Sequence, residues 1–217
     1  MKKQIVAAVL STIIPVSALA GPVVGLGYTD IGLTGHSGRP GIQIFAGNLY
    51  HNDVIASGQA TFARGYYGFN AELGKLIPAG GVSFEPYLSM GFLSLNYNQQ
   101  KVGYKTVTRI AGYGFAYTQT TPSSSPQPAS LQDFYGLAGA DLNIPVASKV
   151  TLGIGGGFGH TLTTFGGSGN GGAVYTGDAM AAFQIAPHIV AGLNVSYLHV
   201  PGASLTNYGA SLAYHFF

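Results

Sequence analysis

The last eleven residues, Asn207-Tyr-Gly-Ala-Ser-Leu-Ala-Tyr-His-Phe-Phe217, alternate without a break and end on an aromatic. Tyr208, Ala210, Leu212, Tyr214 and Phe216 fall on one face; Asn207, Gly209, Ser211, Ala213 and His215 fall on the other. Period two with an apolar face and a small or polar face marks a strand between two different environments. An apolar, aromatic terminal strand suits a membrane barrel, whose closing strand needs an outward apolar face and an aromatic girdle at the water interface. Such a strand specifies an architecture and a location, and no activity.

The N-terminus reads the same way. Met1-Lys2-Lys3 is a basic start, Ile5 to Val16 is apolar with Pro15 near its end, and Ala18-Leu-Ala20 precedes Gly21 as a cleavage site. Residues 1–20 are therefore expected to be a removed signal peptide, leaving 21–217 as one barrel domain. Without Lys2 and Lys3, seven basic residues stand against seven acidic ones. The net charge of +2 is then a targeting feature and gives no argument for nucleic acid. Cysteine is absent, which excludes a lipoprotein anchor, disulfides and thiolate metal sites. Only 7% of residues are charged, against roughly 25% in soluble domains. No apolar run of about 20 residues follows residue 20, so spanning helices are not expected. A closed β-barrel is the remaining way to satisfy a backbone in lipid.

Seven segments alternate well: 63–77, 82–92, 132–144, 149–162, 174–185, 188–200 and 206–217. Their outward faces carry, for example, Tyr67, Phe69 and Leu73, then Phe84, Leu88 and Met90, then Leu152, Ile154 and Phe158. Past Phe92 the apolar parity flips to Leu93 and Leu95, which predicts a bulge or the end of the membrane. Short connections at 78–81, 145–148 and 186–187 alternate with longer ones at 97–131, 165–173 and 201–205, as for periplasmic turns and external loops. Thr120 to Pro128 is expected to be mobile, while 103–118 alternates and could extend the strands as a hairpin. In the N-terminal third, 22–34, 40–50 and 53–62 all look strand-like. Eight strands are favoured, with 54–77 as one long bulged strand, because Arg64-Gly-Tyr-Tyr-Gly makes a poor external loop; ten is the alternative. The expected fold is all-β, an antiparallel transmembrane barrel.

On these features the chain resembles the small Gram-negative outer-membrane barrels of the OmpA and OmpX type over roughly residues 40–217. The resemblance implies partnership with outer-membrane lipids including lipopolysaccharide, with periplasmic chaperones and with the barrel-assembly machinery, and a monomer. One departure is clear: the terminal pattern fits Tyr214-His215-Phe216, and Phe217 lies one residue beyond it.

The ionisable residues expected inside are Arg64, Glu72, Glu85, Asp141, Lys149 and Asp178. Glu72 and Glu85 flank the 78–81 turn and should be near each other across adjacent strands. Paired carboxylates can do acid–base work, but the favoured reading is a salt-bridged plug with Arg64 or Lys149 in a narrow lumen. The histidines at 36, 51, 160, 188, 199 and 215 show no metal spacing. His160, outward near an external strand end with Thr161 and Thr163 close by, is the weak candidate for a lipid-modifying enzyme. The glycines of Gly153-Ile-Gly-Gly-Gly-Phe-Gly159 are expected to make room inside the barrel. No catalytic, cofactor-binding or metal residue is assigned. The expected role is structural or interactive, as in envelope integrity or adhesion. A narrow pore is the main rival, although Arg64, Tyr66, Tyr135 and Met180 should obstruct one. A soluble periplasmic β-protein is the remaining alternative.

Overall fold

In the computed structural model, the described residues are 6–7, 16–17, 21–33, 38–111, 115–165 and 171–216, with side chains described in 21–33, 38–96, 130–165 and 171–216. Apart from a two-residue pairing of Val6–Ala7 with Val16–Ser17, the expected signal peptide lies outside the described residues, as does Phe217.

Among the described residues, ten antiparallel strands close into a barrel: β1 Gly21–Leu33, β2 Arg39–Leu49, β3 Val54–Ala63, β4 Tyr66–Lys75, β5 Val82–Ala111, β6 Phe115–Ala147, β7 Val150–Phe165, β8 Ala173–Ala186, β9 Ile189–Val200 and β10 Ala203–His215. Each strand pairs with its neighbours in sequence, and β10 pairs with β1 to join the two ends. Closure leaves no sheet edge within the membrane. A short strand, Ile77–Ala79, pairs with the base of β5. Pro86 falls between the Gly74↔Tyr87 and Ile77↔Phe84 pairs, where β5 lacks a partner on that side and a missing N–H forfeits no ladder bond.

The eight-strand expectation is corrected to ten. Gly21–Leu33 forms a full stave, and Arg64-Gly65 alone turns the chain between Ala63 and Tyr66. Gly65 takes a φ of 68°, a left-handed conformation that glycine adopts without a Cβ penalty, so two residues suffice where a loop looked implausible. At the opposite end Asp53 has a φ of 62°, and its carbonyl accepts from Leu76 N at 2.8 Å.

Two further expectations change in the long connection. The parity flip at Leu93 is not a bulge, since β5 and β6 stay in one continuous register from Ser83↔Asn143 to Ala111↔Phe115, and the strands continue through it. What flips is chemistry: the inward residues become apolar. The segment 120–128, expected to be mobile, is paired as strand, with Pro122, Pro126 and Pro128 opposite Tyr104, Gln100 and Asn98. These prolines share parity, so their missing donors fall on one side of β6, which among the described residues has no second partner before Gln132. The β5–β6 ribbon thus runs on the order of 50 Å past the last β4–β5 pair at about 3.3 Å per residue.

Outside, the barrel presents Phe69, Leu88, Ile154, Phe158, Leu193 and Leu212, all exposed, in the parity expected from sequence, and Leu26 and Ile44 are exposed beside them. An apolar exterior around a polar interior inverts the soluble pattern and fits a lipid-facing belt.

Candidate functional site

The interior has three levels, traced along single strands. Inward residues of β8 run Val174, Thr176, Asp178, Met180, Ala182; those of β5 run Leu95, Leu93, Gly91, Ser89, Tyr87, Glu85. At the end carrying the 64–65 and 201–202 turns, Ile31, Leu33, Leu93, Leu95, Leu131, Tyr135, Val174, Val200 and Leu205 form one apolar cluster. At the end carrying the chain termini, Val23, Phe45, Leu49, Ile55, Leu76, Ala182, Val190 and Ala213 form another. Each cluster draws on strands from opposite sides of the barrel, so each lies across the lumen.

Between them is a polar level. Glu72, Glu85, Asp141 and Asp178 are buried there, Glu85 fully and Asp141 at 2% exposure. Glu85 is opposite Asp141 in the β5–β6 register; Asp141 and Asp178 are both opposite Gly155, from either side of β7. The β7 glycines make the room expected of them. Asp141 and Asp178 fill the space over Gly155, Met180 and Asn143 that over Gly153, and Tyr87 that over Gly157. Glu72 is opposite Ser89, on the strand next to the one that carries Glu85. The carboxylate oxygens of Glu85 and Asp141, the Tyr87 hydroxyl and both polar atoms of the Asn143 amide lack hydrogen-bond partners. A cavity of about 90 Å³ opens beside Gln59, Asn70, Glu72, Tyr87, Ser89 and Asn207, roofed by Tyr66 and Tyr135.

The salt-bridged plug is corrected. Arg64 lies exposed in the β3–β4 turn and Lys149 exposed in the β6–β7 turn, so neither enters the lumen. Both lie in turns, where alternation assigns no face. Tyr66, Tyr135 and Met180 do point inward, as expected. Among the described residues no three His, Cys, Asp or Glu gather to hold a metal ion.

His160 is outward and exposed, and its Nδ1 lies 2.8 Å from the Thr161 carbonyl; the Thr161 hydroxyl instead turns inward and donates to Asp133. The sequence reading missed a different pair. β10 begins at Ala203, not 206, so Pro201-Gly202 is a two-residue turn, with Gly202 at φ 91°. Its hairpin sets His199 directly opposite Ser204. Ser204 Oγ is 2.8 Å from His199 Nδ1, Tyr197 OH donates to Ser204 Oγ at 3.1 Å, and Tyr175 stacks on the His199 ring at 4.4 Å between centroids. These residues share the outward parity of Leu193 and Val195. The Pro-Gly dipeptide was the available signal, since a tight turn there fixes the 199–204 pairing.

No protein-family model matches the chain, and no curated protein matches it. Solved structures do. The NanC porin aligns with a TM-score of 0.50 at 9% identity, over 89% of this chain and 100% of that one. The COG4313 outer membrane channel from Pseudomonas putida F1 aligns with a TM-score of 0.47 at 10% identity, over 95% and 98%. The outer membrane protease OmpT from Escherichia coli aligns with a TM-score of 0.44 at 9% identity, over 90% and 94%. At such identities the likeness is one of fold: this chain is a closed antiparallel β-barrel of the bacterial outer-membrane kind.

Proposed function

We propose that this protein is a non-conducting outer-membrane barrel with a structural and surface-interaction role, related in plan to the OmpA- and OmpX-type barrels but with two more staves than their usual eight. The observation that carries this reading is the pair of apolar clusters lying across the lumen on either side of the carboxylate level. A pore needs a continuous polar path, and Phe45, Leu49, Ile55 and Leu76 at one end with Leu93, Leu95 and Leu131 at the other interrupt it. The β5–β6 ribbon supports the interactive half, since it carries chain well beyond the last β4–β5 pair and its basic residues Lys101, Lys105 and Arg109 have no acidic counterpart in 97–131. Liposome swelling tests the reading. Vesicles carrying the folded protein should swell no faster than empty ones in isotonic arabinose. Swelling that rises with protein content would replace this reading with a narrow pore.

A further inference from the structure

We propose that Ser204 and His199 form an acyl-transfer site that takes a carboxylic ester of an outer-leaflet amphiphile. The proposal goes beyond the sealed-barrel reading and stands whether or not the lumen conducts.

Three observations carry it. The first is nucleophile geometry. A serine hydroxyl 2.8 Å from an imidazole nitrogen is within the range for transferring its proton as it attacks. The second is rigidity. His199 and Ser204 are a cross-strand pair one step from a two-residue turn, and Tyr175 stacked at 4.4 Å holds the imidazole plane, a task an acidic partner performs in a triad. The third is place. Tyr175 and Tyr197 are outward and partly exposed, at 42% and 38%, beside the rim turn. Aromatic girdles mark the depth of the headgroup boundary, where the ester bonds of membrane amphiphiles lie.

The step balances without a cofactor. Ser204 Oγ forms a bond to the ester carbonyl carbon while its proton passes to His199 Nδ1, and the carbonyl π pair moves onto oxygen. The Tyr197 hydroxyl, 3.1 Å from Ser204 Oγ, is placed to turn and donate to that oxyanion. Collapse breaks the bond to the alkoxy oxygen, and the imidazolium returns its proton to the departing alcohol. Water repeats the sequence on the acyl-serine and frees a carboxylic acid and the serine hydroxyl.

The test uses the full chain, folded in detergent and checked by heat-modifiable gel mobility. Protein is added to vesicles of phosphatidylethanolamine in one arm and of lipopolysaccharide in the other, and free fatty acid is measured by mass spectrometry. Release is expected in at least one arm, and that arm identifies the ester's source. It should vanish in Ser204→Ala and fall roughly 10²-fold in His199→Ala. His160→Ala, at a rim histidine bonded to backbone, should leave it unchanged. A biotinylated fluorophosphonate should label Ser204 in the folded wild type. Absence of fatty acid release from both vesicle types by correctly folded wild type overturns the proposal, and so does release that persists in Ser204→Ala.

Discussion

Glu85 and Asp141 stand directly opposite each other on β5 and β6, and neither carboxylate has a hydrogen-bond partner. Two carboxyl groups held side by side in a buried setting oppose folding by lost hydration, and ionising both would add repulsion. Neutral isosteres should therefore stabilise the barrel. Asp141→Asn and Glu85→Gln are each expected to raise the unfolding free energy by roughly 1–3 kcal/mol, within the range for replacing a poorly compensated buried ionisable group. Urea unfolding in phosphatidylcholine vesicles measures this. A lowered midpoint in both variants would show that the carboxylates hold the barrel together.

The glycines of β6 and β7 separate into tolerant and intolerant sites. A Cβ at Gly159 would fall on the carbonyl of Gly136, which is backbone and cannot give way. A Cβ at Gly136 itself would meet Leu162 Cδ1 only at 3.8 Å, an ordinary contact. Gly159→Ala is expected to cost more than about 2 kcal/mol and Gly136→Ala to stay within about 0.5 kcal/mol, following the usual costs of overpacking and of neutral surface changes. Equal effects in the same unfolding assay would contradict the packing described.

Much of this fold could be read from period two. The outward faces of β4 to β10 match the sequence reading because a membrane barrel imposes one environment on each parity, and a large apolar residue such as Phe158 or Leu193 has only one side to occupy. The strand count was not legible. It depended on Gly65 turning the chain in two residues, and an exposed Arg-Gly carries no apolar signal to mark the break. The interior was half legible. The inward carboxylates followed from parity, but Arg64 and Lys149 sit at turns, where alternation no longer assigns a face. The pairing of His199 with Ser204 is not legible in alternation, because it exists only through the tight turn at Pro201-Gly202.

The ten-strand topology makes a labelling prediction, and the absence of cysteine provides a clean background. The 64–65 turn should lie outside the cell, and the 50–53 and 148–149 turns should face the periplasm with the described chain ends. A membrane-impermeant maleimide added to intact cells should label Arg64→Cys and spare Asn52→Cys and Ser148→Cys until the outer membrane is broken. If 54–77 were one continuous strand, position 64 would resist the reagent within the membrane.

Phe45 is the largest side chain of the apolar cluster near the chain termini, 1% exposed and packed over Gly25. Phe45→Ala is expected to destabilise the barrel by roughly 3 kcal/mol, the usual cost of deleting a buried ring. It should also thin the seal at that end. The urea midpoint measures the first effect; a stability equal to wild type would mean that the ring does not pack as described.

The central claim is a sealed lumen, and planar-bilayer recording tests it most directly. The folded wild-type protein should insert without steady conductance steps, whereas a variant thinned at both clusters, Phe45→Ala with Leu93→Ser and Leu95→Ser, should give openings if it remains heat-modifiable. Regular, sizeable channels from the wild type would contradict the account and make this barrel a pore.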